Sequence, residues 1–119
     1  MLVPVLTVKD LKASLTFYQQ LGFIQDWQWQ STTQLHYDDL LVYLKQAPVS
    51  QQTLYWYVAD VYARAADLST CLSAINVTMT PVEQQPWGNH ETTFIDPDGH
   101  RWIIATPSRE LTRIKSADK

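Results

Sequence analysis

The stretch VKDLKASLTFYQQLGF, residues 8–23, decides how the rest of the chain is read. Asp10 carries the short carboxylate that caps a helix start, and Leu11, Leu15 and Tyr18 follow at helical spacing. Gly22 can then lead the chain out of the helix through a left-handed residue. Before this stretch, LVPVLTV (2–8) is apolar and β-branched, which predicts a strand. After it come three extended pieces, FIQDWQWQ (23–30), TTQLHY (32–37) and LLVYLKQ (40–46), with Asp38-Asp39 as a turn between the last two. Fifty residues on, the order restarts: VADV (58–61) echoes VKDL (8–11) behind a strand, TLYWYVA (53–59). Asp60 caps a second helix whose Val61, Ala65, Leu68, Leu72 and Ile75 share one face. VTMTPVE (77–83) reads as extended, and Pro81 restricts it to an edge. HETTFI (90–95) and HRWIIA (100–105) flank the turn Asp96-Pro97-Asp98-Gly99. Each half therefore spells strand, helix, three strands, and the repeat outweighs any single element as a clue to the fold.

A chain of 119 residues with one composition throughout predicts a single domain. Its boundaries fall at 1–106, as two modules of about 1–46 and 53–106, followed by a polar tail, 107–119, read as a short helix or a frayed end. With 45% apolar and 18% charged residues it can bury a core without staples. A net charge of −3 and no basic cluster argue against a nucleic-acid partner. Cys71 is alone, which excludes an internal disulfide and a thiolate metal cluster. MLVPVLTVKD has no basic start before a long apolar run, and no apolar window approaches the roughly 20 residues needed to span a bilayer. A soluble, cytoplasmic protein without a membrane partner is expected. All three glycines, Gly22, Gly88 and Gly99, fall in turns, so no phosphate-cradling loop is present.

VKDLKASLTFYQQLGF (8–23), VADV (58–61) and PWGNHETTFIDPDGHRWII (86–104), in this order, resemble the vicinal oxygen chelate superfamily. That family includes glyoxalase I, extradiol dioxygenases, fosfomycin-resistance enzymes and bleomycin-resistance proteins. The likeness covers residues 2–106 and implies an α+β fold of two βαβββ modules whose mixed sheets curl around a concave cleft, usually in a homodimer. It is specific for the fold and not for an activity. Metal-using members take ligands from the first and last strands of each module, positions that fall here on Val3, Tyr43, Thr53 and Ile103. Divalent cations need imidazole nitrogens or carboxylate oxygens, and this set has none. His90, Glu91, Asp96, Asp98 and His100, which look like a ligand cluster in the sequence, fall elsewhere. Asp96 and Asp98 belong to the turn, His100 to the rim, and only Glu91 has inward parity. No metal and no other cofactor is expected.

Strand alternation then names the cleft lining. Val5, Thr7, Tyr55, Tyr57, Arg101, Ile103 and Ala105 should face inward, with Glu91, Thr93 and Ile95 on the neighbouring strand. Leu6, Val8, Leu54, Trp56, Val58, Phe94, Trp102 and Ile104 should face the helices. In FIQDWQWQ, simple alternation puts Phe23, Gln25, Trp27 and Trp29 on one face and Ile24, Asp26, Gln28 and Gln30 on the other, without saying which is inward. The ligand-binding set is thus Tyr43, Tyr55, Tyr57, Trp87, Glu91, Arg101 and Ile103, with no catalytic group nominated. Tyrosine rings grip small aromatic or cationic molecules, and Glu91 offers a counter-charge unless it pairs with Arg101. The expected function is that of a metal-free bleomycin-resistance-like protein that sequesters such a molecule. A metal-dependent glyoxalase-like or dioxygenase-like enzyme, and a structural dimer without an open pocket, stand as alternatives.

Overall fold

The computed structural model describes residues 1–117, with side chains described through residue 112. The first repeat contains β1 (Val5–Val8), α1 (Leu11–Gln20), β2 (Ile24–Trp29), β3 (Thr32–Tyr37) and β4 (Leu40–Gln46). The second contains β5 (Thr53–Tyr57), α2 (Val61–Ala74), β6 (Glu83–Gln84), β7 (Asn89–Ile95) and β8 (Arg101–Pro107), followed by α3 (Ser108–Ala117). The two sheets have the same design, in the orders β1-β4-β3-β2 and β5-β8-β7-β6, each with one parallel pair. This is the α+β architecture expected from the duplication. The chain divides into two compact units, Met1–Gln52 with Asp96–His100, and Thr53–Ile95 with Arg101–Lys119.

Both helices are bounded by the same chemistry. The Asp10 carboxylate accepts from the Ala13 N–H at 3.1 Å, and the Asp60 carboxylate accepts from Tyr62 and Ala63 at 3.0 and 3.3 Å. At its far end α1 closes with Gly22 N–H on the Gln19 carbonyl and Phe23 N–H on that of Tyr18. Gly22 sits at φ +105, which a side chain would resist. In α2 the same two bonds run from Asn76 to Ser73 and from Val77 to Leu72, and Asn76 takes φ +60, a value asparagine tolerates.

Each sheet buries the face toward its own helix. In the first unit Leu6, Val8, Leu35, Val42 and Leu44 are fully buried, with Phe17, Tyr18 and Phe23 packed edge to face beside them. In the second, Trp102 stacks on Phe94 at 6.0 Å and meets Trp56 edge-on at 5.8 Å, and Leu68 and Leu72 of α2 are buried. The Arg64 guanidinium lies 4.8 Å from the Trp56 ring centre. The predicted alternation of β1, β5 and β8 is met on the helix side.

Four expectations change. The first strand begins at Val5, so Val3 lies ahead of it. Residues 77–82 form no strand of their own. Thr80 ties this segment to the outer edge of β7, its N–H donating to the Thr93 carbonyl at 3.0 Å, its carbonyl accepting from Thr92 Oγ1 and its hydroxyl from Thr93 N–H, and Pro81, which has no N–H, follows at once. Third, β2 carries a bulge at Asp26: Gln25 pairs with Leu35, yet Trp27 pairs with Gln34. The extra residue shifts the alternation. Phe23 and Gln25 therefore share the core face of Leu35, while Trp27 and Trp29 stand with Tyr43 on the opposite face. Fourth, His100 is not at a rim. It is fully buried, its Nδ1 accepting from Gln52 N–H at 3.1 Å and its Nε2 donating to the Thr7 carbonyl at 2.7 Å. Those partners require the neutral Nε2–H form.

Candidate functional site

The face of each sheet turned away from its helix is the open one. In the first unit, cross-strand register lines up Val5, Tyr43, Gln34 and Trp27 on this face. Tyr43 is half-buried and meets Trp27 edge-on, ring centres 5.4 Å apart. The bulge residue Asp26 is held by Gln34 Nε2 at 2.9 Å and His36 Nδ1 at 2.7 Å. The Gln34 amide, with His36 behind it, holds the Asp26 carboxyl below its ordinary value.

The second unit gathers the remaining predicted residues. Its open face carries three rows: Thr53, Arg101 and Ile95; Tyr55, Ile103 and Thr93; Tyr57, Ala105 and Glu91. Tyr55 and Tyr57, two residues apart on β5, stack at 6.2 Å and 22° with both rings exposed. Glu91 is only 7% exposed. Its Oε2 accepts from Trp87 Nε1 at 2.8 Å and from Asn89 Nδ2 at 3.1 Å. The same Asn89 amide donates to Tyr57 Oη at 3.1 Å. Trp87 is 63% exposed, its indole N–H bound to Glu91. Beside this cluster lies an open depression of about 580 Å³, bordered by Tyr57, Trp87, Gly88, Asn89, Pro107, Ser108 and Arg109.

Tyr57, Trp87 and Glu91 thus converge, with Tyr55 and Ile103 one row along. Tyr43 belongs to the other unit. Arg101 does not neutralise Glu91: it opens β8 four residues before Ala105, about 13 Å along the strand from the Glu91 row. Ala105 faces as predicted but is fully buried, because Tyr57 and Glu91 flank it and Asn89 bridges them. Asn89 was missed by the sequence reading, although it stands two residues before Glu91 and so shares its face.

The acids and histidines of residues 90–100 scatter. His90 lies on the helix side of β7, its Nδ1 2.9 Å from the Tyr62 hydroxyl. Asp96 accepts from the N–H groups of Asp98 and His100 and from Tyr18 Oη. Among the described residues no three His, Cys, Asp or Glu side chains converge. Val3 and Ile103 carry hydrocarbons, Tyr43 a phenol and Thr53 a hydroxyl, so none of these positions supplies the imidazole or carboxylate that a divalent cation takes.

Two tandem βαβββ units with ringed open faces define a class of α+β proteins to which known structures can be compared. The chain belongs to the Glyoxalase/Bleomycin resistance protein/Dioxygenase superfamily, whose family description matches residues 2–104. No curated protein sequence matches it. Among solved structures, the bleomycin resistance determinant encoded on transposon Tn5 is 18% identical, with a TM-score of 0.78 over 90% of this chain and 97% of that one. A bleomycin-binding protein complexed with bleomycin is 18% identical at TM-score 0.76, covering 89% and 97%. An integron cassette protein from the mobile metagenome of Halifax Harbour Sewage Outfall is 23% identical at 0.74, with the same coverage. Likeness at this level establishes the fold.

Proposed function

We propose that this protein binds an aromatic, cationic small molecule without converting it, in the manner of a bleomycin-resistance protein and without a metal. One observation carries the reading. Glu91 is a nearly buried carboxylate whose hydrogen-bond donors, Trp87 and Asn89, are both neutral, and it stands among the exposed rings of Tyr55, Tyr57 and Trp87. A cation over such rings gains about 0.5–2 kcal/mol per good contact, and a hydrogen bond to a charged carboxylate about 1.5–3. The bleomycin complex of a protein with this fold supports the idea that the architecture can hold a drug-sized guest. The free thiol of Cys71 suits a reducing compartment, the cytoplasm, where sequestration would protect the cell as antibiotic resistance.

The same reading makes the protein a homodimer. Ile24, Trp27 and Trp29 are exposed apolar side chains on β2, a surface of the kind that a second copy covers. Calorimetric titration with matched cationic and neutral aromatic amines tests the binding. The cationic partner should bind at micromolar concentrations and be recovered unchanged. Silence across a broad panel at high micromolar concentration would favour a structural dimer that buries its rings. Stoichiometric zinc, nickel, iron or manganese in the purified protein would favour the metal-dependent enzyme.

A further inference from the structure

We infer that Asn89 is a positioning residue that sets the hydrogen-bond polarity of the Glu91 site, so that the preferred guest pairs its cationic N–H with a hydrogen-bond acceptor elsewhere on the ring system. This rests on the binding function proposed above and narrows its ligand. Tyr57 and Glu91 stand on either side of Ala105 in one row. Their backbones are two strand spacings, roughly 10 Å, apart. The Ala105 methyl leaves room between them that a longer side chain would fill.

The amide of Asn89 bridges this gap, and its orientation is forced. A carboxylate has no hydrogen to give, so the amide must turn its NH2 end to Glu91 Oε2, 3.1 Å away. Its second hydrogen then goes to Tyr57 Oη, also at 3.1 Å. Tyr57 is thereby made an acceptor on its Asn89 side, and its own O–H is directed outward as a donor. The ring is 58% exposed, so that donor is within reach of a guest lying on the Tyr55–Tyr57 pair. On the other side, Oε2 of Glu91 is occupied by Trp87 and Asn89, and an incoming N–H meets Oε1. One residue therefore fixes a donor at one end of the site and an acceptor at the other.

The substitution Asn89→Leu tests this at nearly constant shape and unchanged charge. Leucine has no N–H to give, so the Tyr57 O–H is no longer held outward and is free to turn toward any acceptor. The ratio between two probes of equal charge isolates the polarity. The probes are 2-naphthylmethylamine and its 6-methoxy derivative, whose ether oxygen only accepts. In the wild-type protein the methoxy amine should bind roughly 2- to 10-fold more tightly by calorimetry. In Asn89→Leu this advantage should vanish. Tyr57→Phe, which keeps the ring, should lose it as well, so the test survives if Asn89→Leu fails to fold. A wild-type ratio of one, or an advantage that persists in either variant, overturns the assignment to Asn89 while leaving the binding function standing. Failure of the wild-type protein to bind either probe overturns both.

Discussion

Replacing Tyr18 with phenylalanine removes one hydroxyl from the centre of the first unit and leaves the ring in place. Its edge-to-face contacts with Phe17 and Phe23, at 5.1 and 5.3 Å, are unchanged by the substitution. What is lost is the hydrogen bond from Tyr18 Oη to Asp96 Oδ2, 2.5 Å long, to a carboxyl group that is 4% exposed. Oδ1 keeps the N–H groups of Asp98 and His100, but Oδ2 loses its donor within a side chain that is almost fully buried. A bond to a charged group is worth about 1.5–3 kcal/mol, so the variant should be about 2 kcal/mol less stable at pH 7.5, with a urea midpoint lower by about 1 M. The effect depends on pH with a definite sign. Burial pushes the Asp96 carboxyl above its ordinary value, against the pull of Tyr18 and of His100. The folded protein therefore holds that proton more tightly than the unfolded chain, and stability falls as pH rises through the window from the ordinary carboxyl value to the raised one. Without the hydroxyl the value rises further. On acidification the carboxyl takes up its proton, and the variant's deficit should shrink toward the roughly 1 kcal/mol of a neutral hydrogen bond. Urea titrations of both proteins at pH 7.5 and pH 4.5 measure this. A deficit below about 0.5 kcal/mol at pH 7.5, or one that grows in acid, refutes the account of Asp96 as a buried carboxylate that depends on Tyr18.

Thr106→Val keeps the shape of a fully buried side chain but strands two backbone groups, the Val61 N–H that Thr106 Oγ1 accepts and the Val58 carbonyl to which it donates. A loss of about 2–4 kcal/mol is expected in chemical denaturation, with the start of α2 the first segment to exchange its amide hydrogens. Gly22→Ala should cost more than about 1 kcal/mol because alanine resists φ +105, while Asn76→Gly, at φ +60, should be neutral or slightly stabilising; thermal melts of the pair compare them. Glu91→Gln retains an acceptor for Trp87 and Asn89 and removes the charge, so affinity for a cationic aromatic ligand should drop about 10- to 100-fold in calorimetry while a neutral analogue changes little.

Local pattern made most of the framework legible. The Asp10 and Asp60 caps, the Gly22 exit and the two-residue turn at Asp38-Asp39 are set by neighbours within a few residues. The alternation of β5 and β8 follows from burying one face. What failed depends on contacts distant in sequence. Nothing local marks Asp26 as an extra residue, since it is Gln34 and His36 on the neighbouring strand that hold it. The periodicity of FIQDWQWQ looks regular and misleads. His100 reads as a rim residue until its bond to the Thr7 carbonyl, 93 positions away, buries it. In the site, Glu91 was visible by parity, but its partners were not: Arg101 carried the complementary charge, whereas geometry gave the place to Asn89 and the Trp87 indole.

The duplication supplies an internal comparison that separates what folding fixes from what it leaves free. At a spacing of fifty residues, the helix-facing positions of the first strands stay apolar: Leu6 matches Trp56, and Val8 matches Val58. Burial leaves them no choice. The open-face positions between them do not hold: Val5 becomes Tyr55 and Thr7 becomes Tyr57. Register carries the comparison onto the adjacent strand, where Thr7 pairs with Lys45 and Tyr57 with Ala105. Across the next strand, Lys45 meets Thr32, whereas Ala105 meets Glu91. One repeat thus puts a long base and two small hydroxyls where the other puts a methyl group, a carboxylate and an exposed tyrosine. Folding explains the shared half of each strand, since both cores need apolar volume toward a helix. It does not explain the divergent half, because an open face accepts almost any residue at little cost in stability. The rings gathered around Glu91 on the second open face are therefore the part of this chain that folding alone accounts for least.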